Sequence, residues 1–142
     1  MAKYKVAGVT VVRIDNSAGT ILDMTQYIDS ITTVGKEVAP LEVTSFNDGA
    51  ERFVAGIEMS EEVTVSGAFD DAATSGPDAV FPTLVGTINT IEYNPAGTVS
   101  GRRKITGEYL FVSYKVSSAV KERVNYELRA RRDGTINATG TN

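Results

Sequence analysis

The sequence predicts a mostly β domain, a β-sandwich or partly closed barrel with one short α-helix. Three observations carry this. Apolar residues recur with period two along most of the chain and only rarely with the helical period. Clusters of Gly, Asn, Asp, Ser and Pro separate these runs at short intervals. Between Ser75 and Gly86 lies the one segment with helical spacing and helix-start chemistry.

Tyr4 to Ile14 is Val-rich and apolar on both faces, which suggests a strand covered on both sides. Asp15-Asn-Ser-Ala-Gly19 then supplies residues that tolerate positive φ, predicting a hairpin into a short strand at Thr20–Asp23. Met24–Asp29 could form a weak helical turn, and short strands are expected at Ser30–Val34 and Leu41–Ser45. From Glu61 to Phe69, Val63, Val65 and Phe69 share the apolar side, opposite Glu62, Thr64, Ser66 and Asp70. In the helix, Ser75 or Gly76 is the cap, Pro77 fits the first position and Asp78 suits the positive end. Val80 with Leu84 and Phe81 with Val85 make its apolar stripe, while Pro82 keeps it short or kinked. Strands follow at Thr87–Tyr93, Tyr109–Ser117 and Glu122–Arg131. In the second of these, Leu110, Val112, Tyr114 and Val116 oppose Tyr109, Phe111, Ser113 and Lys115. In the third, Val124, Tyr126, Leu128 and Ala130 face one way and Arg123, Asn125, Glu127, Arg129 and Arg131 the other. Asn94–Gly97 with Ser100-Gly101 marks a longer loop, Asp133-Gly134 a turn, and residues 134–142 are expected to fray unless a neighbour orders them.

Composition bounds the function. The 142 residues read as one domain without linker, repeat or low-complexity tract, with 42% hydrophobic and 23% charged residues. No apolar run approaches the roughly 20 residues a spanning helix needs, and the N-terminal residues lack a signal peptide's apolar core, so Sec export is not expected. Zero cysteines exclude disulfides and thiolate chemistry, and zero histidines exclude Ser-His-Asp catalysis and His-ligated metals. A net charge of −4 argues against general binding to the phosphate backbone.

Candidate chemistry is sparse. Asp70 and Asp71, with Asp78 near, could bind a hard cation, but no EF-hand spacing accompanies them and a strand end with a capped turn explains them as well. Glu58, Glu61 and Glu62 could supply paired carboxylates, except that Glu61 and Glu62 point to opposite faces of a strand. Gly97–Lys104 fails as a phosphate loop because no helix follows Lys104. Asn137-Ala-Thr139 is a formal glycosylation sequon that an unexported chain would not use. Tyr109, Phe111 and Tyr114 suit a core strand. Arg102, Arg103 and Lys104 form the densest basic cluster, and a contact with acidic residues of another subunit, such as Glu58, Glu61 or Asp71, fits it better than a nucleic-acid site. The loop Thr44–Met59 is the exception to this sparseness. It carries Phe46, Phe53 and Ile57 beside Asp48, Glu51 and Arg52, and either folds back onto its own sheet or docks on another subunit.

The order Thr44-Ser-Phe-Asn-Asp48, Glu51-Arg-Phe-Val-Ala-Gly56, Thr64-Val-Ser-Gly-Ala-Phe-Asp-Asp71 and Gly76-Pro77 resembles bacteriophage tail tube (major tail) proteins. The resemblance covers most of the chain. It implies a non-enzymatic virion protein without cofactor, forming hexameric rings stacked into a hollow tube whose subunit strands close an inner barrel. It implies as partners the chain itself, tail terminator, and baseplate or tape-measure proteins. Viral DNA would pass without specific binding, with no membrane involved and assembly in the host cytoplasm. On that reading Phe46, Asp48, Glu51, Arg52, Phe53 and Ile57 form the inter-ring interface. Glu62, Thr64 and Ser66 are the lumen candidates, in a bore expected to be net negative. Rival readings are a non-polymerising β-sandwich binding module of a virion (decoration, baseplate adapter or tube-terminating protein) and a carboxylate-based hydrolase or lyase.

Overall fold

A computed structural model describes residues 8–32 and 34–142. Its strands are β1 (Val11–Asp15), β2 (Ile21–Asp23), β3 (Ser30–Ile31), β4 (Val38–Glu42), β5 (Phe53–Glu58), β6 (Glu62–Ala68), β7 (Ile88–Asn94), β8 (Arg103–Ser117) and β9 (Asn125–Thr141). One α-helix, α1 (Pro77–Leu84), and one 3-10 turn, Thr25–Tyr27, complete the set. The main sheet runs β2-β1-β7-β8-β9-β6-β3, and β4 and β5 form a separate two-stranded sheet. The chain is therefore mostly β with one short helix, as its periodicity predicts.

The expected first strand is shorter than its apolar run. Gly8 and Val9 form a turn, β1 begins at Val11, and Tyr4–Ala7 lie outside the described residues. Val12 and Ile14 enter the core, while Arg13 turns to the other face opposite Glu92. The Asp15–Gly19 hairpin forms as read. The Asn16 side chain accepts hydrogen bonds from the amides of Ala18 and Thr20, at 3.0 and 2.9 Å.

After β2 the chain becomes a strap across the end of the sheet. The Met24 amide bonds the carbonyl of Val12 at 3.0 Å, and the Asp29 amide bonds that of Ser66 at 2.9 Å. The segment thus reaches from β1 to β6, the two strands next to the sheet's unpaired ends. Tyr126 fixes its middle, donating its hydroxyl to the carbonyl of Tyr27 at 2.6 Å. Gly67 makes room, because a Cβ there would sit 2.2 Å from that same carbonyl oxygen.

Helix α1 lays Pro77, Val80, Phe81 and Leu84 on the core, while Val85, expected in the stripe, is the exposed C-cap. Pro82 is exposed near the C-terminal end, where a lost hydrogen bond ends an eight-residue helix rather than breaking a longer one. Phe81 meets Tyr126 at 5.5 Å and Tyr114 at 6.2 Å between ring centroids. Such pairs are each worth about 0.5–1.5 kcal/mol beyond the area they bury.

Tyr114 corrects the sequence reading. It shares the core with Tyr109 and Phe111, whereas Leu110 and Val112 are exposed. The cause is a bulge. Phe111 pairs with Ala130 and Ser113 with Arg129, so β8 spends one extra residue there and its alternation inverts. A second shift, between Gly107 and Tyr109, absorbs Asp133-Gly134. Gly134 has φ 79, and the pair forms a bulge inside β9 instead of the expected turn. Residues 134–142, expected to fray, instead extend β9 along the first half of β8, and the Asn142 amide closes on the Arg102 carbonyl at 2.8 Å.

Gly67→Ala should cost on the order of 1–3 kcal/mol by forcing the strap off β6. Urea unfolding measures this, and a neutral substitution would show that the strap does not depend on the close approach.

Candidate functional site

The segment expected as a loop from Thr44 to Met59 is mostly a hairpin. β4 and β5 pair in register Leu41↔Val54 and Glu42↔Phe53, with a shift between Val38 and Pro40, where proline lacks the ladder amide. Sequence periodicity missed β5 because it is exposed on both faces, so nothing forces polar and apolar residues to alternate. The hairpin's strands do not pair with the main sheet, and it forms an arm beside it.

Its surface is apolar to a degree soluble surfaces rarely show. Leu41, Val43, Val54 and Phe53 (53% exposed), Ile57 (82%) and the fully exposed Phe46 share it. These side chains stay exposed and do not fold back into the core. The tip is tightly made. Ser45 donates its amide to Asp48 at 2.7 Å and its hydroxyl to the same oxygen at 3.1 Å, while Asp48 returns its amide to the Ser45 carbonyl at 3.0 Å. Arg52 pairs with Asp48 at 3.4 Å, and its amide bonds Thr44 at 2.9 Å. Asp48 and Arg52 therefore shape the turn that presents Phe46, and Glu51 stays exposed beside them.

The root of the arm holds a residue the sequence reading passed over. Arg132 follows Tyr126, Leu128 and Ala130 in phase, and that phase was the available signal that its side chain points inward. It is buried, with its guanidinium hydrogen-bonded to the carbonyls of Gly35 (2.6 Å) and Met59. Glu61 lies at 3.3 Å and Glu58 at 3.9 Å. Tyr109 donates its hydroxyl to Glu61 at 3.2 Å, and burial first, then the Glu61 charge, raises the phenol well above its ordinary value. Glu58 and Glu61 thus converge on an internal cation, which accounts for them without an external partner.

The basic cluster is divided. Lys104 reaches Glu92 at 3.0 Å, and Arg13 reaches the same carboxylate at 3.3 Å. Glu92 is buried beneath them, with Asn94 at 3.3 Å. Arg103 is exposed at the start of β8, and Arg102 is half-buried. Lys104 lies within the sheet and not on a loop at another subunit, because β8 begins one residue before it.

Glu62, Thr64 and Ser66 lie on the face of β6 turned from the core, as read. Glu62 is within 3.9 Å of Arg129 and 4.0 Å of Arg131, and Arg129 also donates to Glu127 at 2.6 Å. Lys115 lies opposite Glu127 on the same face, so these charges form one mixed group of both signs. Next to it, Val112–Ser117 of β8 pairs only with β9, since β7 stops opposite Leu110. That leaves a free edge among the described residues.

The aspartates separate. Asp70 accepts the Ala72 amide at 2.8 Å, Asp78 faces the Tyr114 hydroxyl at 3.4 Å, and Asp71 is exposed. Burial, then the Asp78 charge, pushes Tyr114 up to about 12. No group of three or more acidic side chains suited to a metal occurs among the described residues.

The architecture is that of tail tube proteins. The chain is similar to a chain in the tail of an empty gene transfer agent particle refined with C6 symmetry, with TM-score 0.71 and 16% identity over 98% of this chain and 100% of that one. It is also similar to the SPP1 tail tube, with TM-score 0.67 and 10% identity over 96% and 80% of the two chains. A third likeness is to the PVC sheath/tube terminator, with TM-score 0.63 and 12% identity over 97% and 100%. No protein-family model and no curated protein sequence matches the chain.

The tip makes a pH-dependent prediction. The hydrogen bond from the Ser45 amide, foremost, holds the Asp48 carboxyl below the ordinary aspartate value. A carboxyl lowered in the folded state stabilises the turn above its unfolded pKa and loses that contribution as pH falls through the folded one. In an NMR titration the Ser45 amide should therefore report a midpoint below the ordinary aspartate value of about 3.9. A midpoint at or above that value would mean the turn does not rest on this carboxylate.

Proposed function

We propose that the chain is a structural subunit of a virion tail that assembles with itself into hexameric rings, stacked as the hollow tube through which DNA passes. The observation that carries this reading is a tail tube fold over nearly the whole chain, bearing an arm whose apolar residues stay exposed among the described residues. An arm of this kind, meeting a different surface on the next ring, makes a heterologous contact, the kind that propagates into filaments. Phe46, Phe53 and Ile57 are its anchors, with Asp48 and Arg52 holding the tip and Glu51 at its rim.

Ring closure uses the other kind of unpaired group. The free edge at Val112–Ser117 and the short edge strand β3 terminate opposite ends of the β8-β9-β6-β3 part of the sheet. Pairing one with the other around a ring satisfies both edges and removes an aggregation hazard. The face carrying Glu62, Thr64 and Ser66 then lines the bore. Glu62 and Glu127 pair with Arg129 and Arg131 there, which lowers the positive charge offered to phosphate and suits passage without retention. Arg102 and Arg103 are assigned to a subunit contact.

No catalysis or cofactor belongs to this role. Its partners are further copies, a tail terminator, and baseplate or tape-measure proteins, and its place is the phage tail, assembled in the host cytoplasm. A second reading, a tube-terminating or baseplate-adapter protein that stops at one ring, is favoured by the likenesses to the PVC terminator and to the anti-feeding prophage baseplate, the latter with TM-score 0.65.

Electron microscopy of the concentrated protein distinguishes these. Long tubes with six subunits per ring support the first reading, single rings the second, and a chain monomeric at every concentration overturns both. Phe53→Ala should abolish tubes while leaving the fold intact, losing on the order of 3 kcal/mol at a buried anchor. Normal tubes from this variant would remove the arm from the stacking contact.

A further inference from the structure

We propose that Arg132 is a positioning residue that sets the angle of the arm and so selects a docking-competent geometry, although it makes no contact at the arm's surface. The inference rests on the reading of the arm as the assembly element. Its structural half stands on geometry alone.

The arm joins the body by two backbone segments, around Gly35 and around Met59–Glu61, and its strands do not pair with the main sheet. Its direction is therefore fixed at its root. There the Met59 amide bonds the Glu37 carbonyl at 2.7 Å, tying the two segments to each other. That bond cannot orient them relative to the body. Arg132 can, because it belongs to β9, in the middle of the main sheet. One terminal nitrogen bonds the Gly35 carbonyl on the incoming segment, and the other bonds the Met59 carbonyl on the outgoing one. A planar guanidinium holds two acceptors at a fixed separation, which a single ammonium cannot do.

The surrounding bonds repeat the logic. Glu61 receives the Gly35 amide at 3.3 Å, and its own carbonyl receives the Arg132 amide at 3.0 Å. The Ser60 hydroxyl donates to the Arg132 carbonyl at 2.6 Å. Glu58 accepts the Ile136 amide at 3.4 Å, a second link to β9 on the far side of the Gly134 bulge. The Arg132 side chain is 0% exposed, and its Nε has no hydrogen-bond partner among the described residues. A buried unpaired donor is a cost, so the residue is held by what its other nitrogens bind.

Leverage makes the angle matter. At about 3.3 Å per strand residue, Phe46 stands on the order of 30 Å from the root. A swing of about 10° there moves its ring by about 5 Å, more than a side-chain pocket tolerates.

The chain contains no cysteine, so a spin-label pair can be placed without background. Labels at Ala50→Cys, near the tip, and Ser118→Cys, beyond β8, report the arm's angle as a distance distribution in unassembled protein. Arg132→Lys keeps a cation beside Glu58 and Glu61 while losing the fork. It should at least double the width of the distribution, and in the otherwise natural sequence raise the concentration needed for tube formation at least tenfold, with the main-sheet amides still protected. If that variant fails to fold, Glu58→Gln, which leaves Arg132 and Glu61 in place, is read in the same two assays with a smaller broadening expected. An unchanged distance distribution overturns the clamp. A broadened one with an unchanged assembly threshold overturns its role in docking. Failure of the natural sequence to form tubes overturns the tail tube reading and the docking role together, while the distance measurement still decides the clamp.

Discussion

Strands of fifteen and seventeen residues cannot pair flat, because twist accumulates along them. β8 and β9 remain paired from Arg103 and Thr141 to Ser117 and Asn125 by changing register at three places. Nearly everything else hangs on that bent ladder. β7 and β1 extend its first half, and β6 and β3 extend its second. The bulge at Val112 turns Tyr114 inward to meet Phe81 and Tyr126, and so creates the seat for α1. The Gly134 bulge lies between Arg132 and Ile136, the two β9 positions that hold the root of the arm.

The molecule divides its apolar surface unevenly. The core between the curved sheet, the helix and the strap is closed, with Tyr109, Phe111, Tyr126 and Leu128 essentially inaccessible. The arm is the opposite, apolar on its surface and ordered within itself by backbone pairing and the Asp48 turn. Burying Phe46 inside the chain would relieve that exposure at the cost of a contact surface. The sequence instead surrounds the tip with charges and hydroxyls that fix its shape and leave the ring outward. The assembly role proposed above makes use of that arrangement.

Much of this was legible in the residues. Period two located β6, the second half of β8 and the first half of β9, because each has one buried and one solvated face. Pro77 and Asp78 located α1. Failures came where that contrast vanishes. β5 has no buried face, so its pattern looks like loop. The tail after Asp133 is small and polar, yet it is a strand because β8 offers it a ladder. Tyr114 was placed on the wrong face because a bulge leaves no mark in a single strand's alternation. Two aromatics among charges set the arm apart in the sequence, and the tail tube resemblance lies in the same segment. Arg132 could have been flagged, since a charged residue in phase with a buried stripe needs internal partners. Glu92 gave no such signal, because only the folded sheet brings Arg13 and Lys104 over it.

The central claim is that the arm's exposed apolar surface exists to be buried by another copy. A helical reconstruction of the assembled protein tests it most directly. The account predicts Phe46 and Phe53 enclosed by a subunit of the neighbouring ring, with Arg132 unmoved at the root. Tubes in which both rings remain in solvent, stacked through some other surface, would contradict it.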